Sequence, residues 1–191
     1  MQQIHWQTNA SLSNATYRIE LWNSAGWMAD LWSDYSPGRD HTIQIYFPLL
    51  PAGSDYRLRV VDVLNPQLYA LSAQPFTVTG SPVCVRAPNG GETWQAGQTA
   101  QISWESNINI SGTAVRLELW KASLLIKDFG LDWSADGINT KTVDVPMVST
   151  SNYYRIRATS VWDPTWFDDS DATFTILGTK SAADNNWTLY R

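Results

Sequence analysis

An internal repeat constrains this chain more than any other feature. Placing each residue i against residue i+98 aligns Trp6 with Trp104, "YRIELW" at 17–22 with "VRLELW" at 115–120, and Asp30-Leu31 with Asp128-Phe129. The same offset brings "YRLRV" at 56–60 onto "YRIRA" at 154–158, Asn65-Pro66 onto Asp163-Pro164, and "FTV" at 76–78 onto "FTI" at 174–176. A spacing that never slips over this much sequence means two copies of one folding unit. The expected division is residues 1–80, residues 81–178 and a C-terminal tail at 179–191. Subtracting 98 from "PNGGETWQAGQ" at 88–98 gives positions before residue 1, so the first copy is expected to lack the opening strand of the second.

Inside each copy the hydrophobic period is two. Ala100, Ile102 and Trp104 alternate with Gln101 and Ser103, and Val115, Leu117 and Leu119 with Arg116, Glu118 and Trp120; such alternation belongs to half-buried strands. Turn chemistry separates them at Asn23-Ser24-Ala25-Gly26, Ser36-Pro37-Gly38, Pro51-Ala52-Gly53, Asn89-Gly90-Gly91 and Asp136-Gly137. About seven such strands in ~100 residues predict an all-β fold of two tandem immunoglobulin-like antiparallel β-sandwiches, the first without its N-terminal strand.

Composition excludes several partners. A chain with 43% hydrophobic and 16% charged residues has the means to bury a core. Its net charge of −5 provides no electrostatic footprint for nucleic acid or an anionic membrane. No apolar run approaches the roughly 20 residues needed to span a bilayer. Residues 1–6 lack the basic-then-apolar pattern of a secretion signal, which fits either a cytoplasmic protein or a secreted fragment already trimmed. Cys84 stands alone, so stability must come from packing, to which eleven Trp contribute.

The stretches "PNGGETWQAGQTAQISWES", "VRLELWK" and "YYRIRATSVWDPTWFDDSDATFTI" resemble the family that includes the N-terminal part of fungal cell-wall glucan-synthesis proteins and Ser/Thr-rich GPI-anchored membrane proteins, also found in bacterial secreted proteins. The likeness covers residues 82–177 well and residues 4–79 less well. It implies an extracellular or wall-associated β-sandwich without established catalytic residues.

Candidate chemistry is sparse. His5 and His41 have no ligand spacing around them, and Gly90-Gly91 lacks the Lys and helix of a phosphate loop. No catalytic site and no cofactor are expected. The acidic run "WDPTWFDDSD" brings Asp163, Asp168, Asp169 and Asp171 close in sequence, either as oxygen ligands for Ca²⁺ or as a solvated loop; the matching segment of the first copy, "LNPQLYALSA", has no acid. Trp22 and Trp120 fall at one repeat position on the polar side of their strands, and Trp162 and Trp166 lie in the acidic loop. Exposed indoles stack on sugars, so these four are candidate contacts for a cell-surface polysaccharide. The competing reading has Arg57, Arg59, Arg155 and Arg157 cover the indoles and pair with Glu20 or Glu118. Four sequons, at Asn9, Asn14, Asn109 and Asn186, are glycan acceptors only in a eukaryotic secretory route.

The tail ends "NNWTLYR", in which Trp187, Leu189 and Tyr190 form a candidate short strand. Two readings stay open: the tail packs on its own unit, or it completes the first unit of another copy and joins subunits head to tail. The expected function is a non-catalytic extracellular or cell-surface structural or adhesion protein with a polysaccharide or protein partner. A carbohydrate-binding module and a filament subunit are the alternatives.

Overall fold

The computed structural model describes residues 1–9, 14–107, 109 and 112–179, and each of the sixteen bounded elements within them is a strand. The chain divides into two compact units, Met1–Gly80 and Ser81–Arg191. Residues 187, 189 and 190, singled out above as a candidate strand, lie outside the described residues.

Unit 2 contains β8 (Val83–Ala87), β9 (Thr93–Gln95), β10 (Thr99–Ser106), β11 (Ala114–Lys121), β12 (Leu124–Trp133), β13 (Gly137–Asp144), β14 (Ser151–Ser160), β15 (Phe167–Asp169) and β16 (Phe174–Leu177). A smaller sheet runs β13-β10-β8, and a larger one runs β12-β11-β14-β16-β9, with β15 also paired to β14. Alternation gives each sheet one apolar face. Val83, Val85, Ile102 and Trp104 from the smaller sheet and Val115, Leu117, Leu119, Ile156, Phe174 and Ile176 from the larger are all within 1% of full burial and share one core. This is a sandwich of sheets, with β16 to β9 as a parallel pairing among antiparallel ones.

The opening motif closes one corner of that core. Glu92 accepts the Asn89 and Gly90 N–H groups, each at 2.7 Å, while Asn89 exchanges two side-chain bonds with the backbone and carboxylate of Asp171. Gly90 has φ +136°, and a Cβ there would stand 2.6 Å from the Ala172 Cβ; only glycine meets both demands.

Unit 1 contains β1 (Gln2–Gln7), β2 (Asn14–Asn23), β3 (Gly26–Pro37), β4 (Asp40–Ile45), β5 (Gly53–Asp62), β6 (Tyr69–Leu71) and β7 (Phe76–Val78). Its pairings repeat those of unit 2 at the 98-residue offset. Trp22 faces Arg57 as Trp120 faces Arg155, and Tyr56 faces Phe76 as Tyr154 faces Phe174. The bulges match as well, after Ile19 and Leu21 in one unit and after Leu117 and Leu119 in the other. Two tyrosine hydroxyls also correspond: Tyr56 donates to the Pro51 carbonyl at 2.9 Å, and Tyr154 to the Ser149 carbonyl at 3.2 Å.

The units differ where β8 and β9 sit. The smaller sheet of unit 1 is β1 with β4 alone, and among the described residues no strand takes the place of β8 beside β1 or of β9 beside β7. The burial follows. Ile4, Trp6, Leu58, Val60, Phe76 and Val78 are half-buried, while Ile102, Trp104, Ile156, Ala158, Phe174 and Ile176 at the matching positions are 0–1% exposed.

Unit 1 is therefore expected to unfold first in scanning calorimetry. Ile102→Ala should cost unit 2 about 2–5 kcal/mol, and Ile4→Ala, at a position that is already half open, should cost unit 1 less than half as much. Equal losses for the two substitutions would refute the difference in core closure.

Candidate functional site

The outer face of the larger sheet collects the residues of interest. Along β2 the side chains of Tyr17, Ile19 and Leu21 point inward and are at most 2% exposed, which turns Arg18, Glu20 and Trp22 outward. Strand β5 then sets Arg59 opposite Glu20 and Arg57 opposite Trp22, and β6 sets Leu71 beside Arg59. A second layer covers this face. Glu20 is only 2% exposed although it lies on the side away from the core.

The Glu20 carboxylate is enclosed by donors. Arg18 donates to Oε1 from Nε at 2.9 Å and Nη2 at 2.5 Å, while Trp22 Nε1 and Arg59 Nη1 donate to Oε2 at 2.8 and 3.1 Å. The Arg59 guanidinium also lies 5.3 Å from the Trp22 ring centroid and 4.0 Å from that of Tyr69. Burial pushes the Glu20 carboxyl up, but the indole bond and the two guanidiniums outweigh it and hold the group below the ordinary glutamate range.

Unit 2 builds a related layer with Phe167 in place of Tyr69, Asp169 in place of Leu71, and Arg116 paired with Asp128 where Arg18 binds Glu20. Trp120 Nε1 donates to Glu118 at 3.0 Å, and the Arg157 guanidinium sits 5.0 Å from the Trp120 ring and 4.4 Å from the Phe167 ring. Asp169 stands where unit 1 has Leu71, and it takes Arg157 in two bonds of 2.7 and 2.8 Å. Arg157 is thereby drawn to Asp169, while Arg59, facing a leucine, turns to Glu20. Arg57 and Arg155 do neither; each binds the backbone, at Ser72 and Ala73 or at Ser170 and Asp171. Trp22 and Trp120 are consequently half-buried, with their N–H groups committed and one ring face under a guanidinium. Alternation sets them on the outer face, and of the two readings of that face the arginine cover is the one observed, supplied by Arg59 and Arg157 and not by Arg57 or Arg155.

The four acidic candidates are held by separate partners. Asp163 caps its own turn through Thr165 at 2.7 and 2.9 Å, and Asp168 accepts the Val85 N–H at 2.8 Å. Asp169 holds Arg157, and Asp171 holds Asn89 at 2.6 Å. Among the described residues no three His, Cys, Asp or Glu side chains are grouped to hold a metal ion. Asp168 and Asp169 tie strands together, Asp168 fastening β8 to β15 and Asp169 fastening β15 to β14. Beside it, burial pushes the Cys84 thiol up to about 11, and the Asp168 carboxylate adds to the shift, leaving a poor nucleophile.

Trp166 is half-buried, whereas Trp162 is 76% exposed. A more prominent indole escaped the sequence reading. Trp133, 79% exposed, ends β12 opposite Ala114, with Leu131 at 54% opposite Arg116. Its repeat partner is Tyr35, an aromatic pairing that was a usable signal.

His5 is exposed, and His41 is buried at 2%. Ser36 Oγ and Thr8 Oγ1 reach the two His41 ring nitrogens at 2.7 and 3.1 Å, and Trp6 stacks on the ring at 4.8 Å. In unit 2 the matching Ser134 hydroxyl instead accepts the Trp104 N–H at 2.6 Å. His41 thus redirects a serine that the second unit uses to satisfy its core tryptophan. No helix of the described residues is long and apolar enough to cross a membrane.

Comparison of the chain with protein-family models found no match, and comparison with curated proteins found none.

Because Glu20 titrates below its free value in the folded chain, its ionised form stabilises unit 1 above the ordinary glutamate range, and that contribution is lost as pH falls below it. Unit 1 stability should decline from about pH 5 downward. Glu20→Gln should flatten this decline and cost roughly 1–3 kcal/mol at pH 7, less than a fully buried pair because Arg18 is 36% exposed. Denaturant titrations at pH 7 and pH 3.5 measure both effects.

Proposed function

We propose that the chain is a non-catalytic structural or adhesion protein, extracellular or at a cell surface, whose two immunoglobulin-like sandwiches act as spacer and contact surface. One observation carries this reading. In both units the charged and aromatic groups of the larger sheet's outer face bind one another, Glu20 with Arg18, Trp22 and Arg59, and Arg157 with Trp120, Phe167 and Asp169. Groups spent on cohesion in this way stiffen a sheet and leave few donors or acceptors for a substrate.

The immunoglobulin-like assignment is supported by the strand order β13-β10-β8 against β12-β11-β14-β16-β9, and by the two tyrosine hydroxyls that bond back to the turn before their strand. The location rests on the resemblance of residues 82–177 to a wall-associated family.

A carbohydrate-binding role has one observation in its favour, the exposed indoles of Trp133 and Trp162. Such rings offer apolar faces to a pyranose. The polysaccharide contact then moves from Trp22 and Trp120 to these two positions.

Retention on insoluble cell-wall polysaccharides separates the readings. The spacer reading expects no retention above a non-binding control. Trp22→Ala with Trp120→Ala should leave retention unchanged and cost about 2–3 kcal/mol in each unit by emptying half-buried volume beneath an arginine. Retention of the parent chain that disappears in a folded Trp133→Ala, Trp162→Ala variant would replace the spacer with a carbohydrate-binding module.

A further inference from the structure

Unit 2 displays, within the same chain, what unit 1 is short of. Strand β8 lies antiparallel to β10, pairing Val85 with Trp104 and Cys84 with Glu105, and drives Val83 and Val85 to 0% exposure. Strand β9 adds Trp94 against Phe174, their ring centroids 4.8 Å apart. The matching residues of unit 1, Ile4 and Trp6 on β1, Leu58 and Val60 on β5, and Phe76 and Val78 on β7, are all half-buried, and the places of β8 and β9 beside them form a groove that no strand fills among the described residues. The groove also carries an unmet polar demand. Trp6 Nε1 is buried and has no hydrogen-bond partner among the described residues. On its far side β1 pairs with β4, and among the described residues its other edge has no partner at His5, Trp6 and Gln7, the positions matching Ser103, Trp104 and Glu105. An open strand edge beside an apolar groove is a template for an added strand.

We propose that this groove is filled by residues 180–191 of a second copy of the chain, so that copies associate head to tail by strand donation. Length and apolar pattern point to the donor. A segment leaving one unit enters the β8 position of the unit that follows it, as the chain leaving β7 at Val78 passes through Gly80 into Val83. The sequence after β16 leaves unit 2 at Leu177 as the chain leaves β7 of unit 1 at Val78. Residues 181–185, Ser-Ala-Ala-Asp-Asn, fall 98 positions after β8, so the apolar pair Trp187 and Leu189 lies six positions beyond the frame equivalents of Val83 and Val85. Twelve residues reach about 40 Å when extended, enough for a linker and a five-residue strand. The sequence of 180–191 carries an apolar alternation of the required kind, Trp187 and Leu189 two residues apart as Val83 and Val85 are in β8. The contact is heterologous, so its repetition makes an open chain of copies rather than a closed dimer.

The proposal builds on the sandwich reading and extends it from spacer to polymer. Sedimentation of the full 191-residue chain over a hundredfold concentration range should give masses rising through multiples of 21.5 kDa. The chain ending at Thr179, and the full chain carrying Trp187→Asp with Leu189→Asp, should both stay monomeric and folded. Adding a synthetic peptide of residues 180–191 to the shortened chain should raise the lower calorimetric transition, that of unit 1, and leave the upper one unmoved. A full chain that is monomeric throughout, or masses equal in all three proteins, would overturn the proposal, as would a peptide that shifts neither transition. Polysaccharide retention is independent of these readouts, so the spacer reading and strand donation can fail separately.

Discussion

The whole architecture hangs on the alternation of side chains along the paired central strands, β2 with β5 and β11 with β14. A strand has only two faces, and here both are used. Inward, Ile19, Leu21, Leu117, Leu119 and Ile156 bury apolar surface against the opposing sheet or core. Outward, the next residues in line form a layer of carboxylate, indole and guanidinium. A one-residue slip in register would exchange the faces, setting Glu20 or Glu118 into the core, where an unpaired carboxylate is intolerable. The matching bulges after Ile19 and Leu117 hold β3 and β12 in step with this register in both units.

Polar groups on the outer face contribute more to cohesion than their position suggests. A glutamate 2% exposed on the side away from the core is a buried charge without being a core residue. Arg59 and Arg157 each have a carboxylate, and the change from Asp169 to Leu71 reroutes this arginine between units without leaving it idle. The same economy operates in the acidic loop. Residues that read as a cation site in one dimension are spread over four partners in three, with Asp168 and Asp171 joining β8 and the Asn89 turn to the loop around β15.

Two units with one plan but unequal closure give the chain an asymmetry. Unit 2 contains its edge strand and seals Trp104, whose N–H meets Ser134. In unit 1 the equivalent Trp6 lies against His41, which takes Ser36 for itself. Covering such a groove gains apolar burial and a partner for an indole N–H together, a combination that favours an extended segment over a flat surface.

The duplication, the period of two and the turn residues were legible in the sequence because they depend on covalent spacing. A strand reports its inward face through every second residue, and a repeat reports itself through identity at a fixed interval. The all-β character followed from those signals alone. That arginines of an adjacent strand could cover Trp22 and Trp120 was legible as one of two readings, but which residues do so is not encoded in spacing. That Arg59 lies over Trp22 and Tyr69, that Asp169 and not Glu118 takes Arg157 in two bonds, and that Trp133 stands clear of its neighbours depend on which strands become adjacent. Adjacency is set by sheet order, a property of the closed chain, and so the tertiary structure alone decided which aromatic and acidic residues hold the fold and which are left to meet something else.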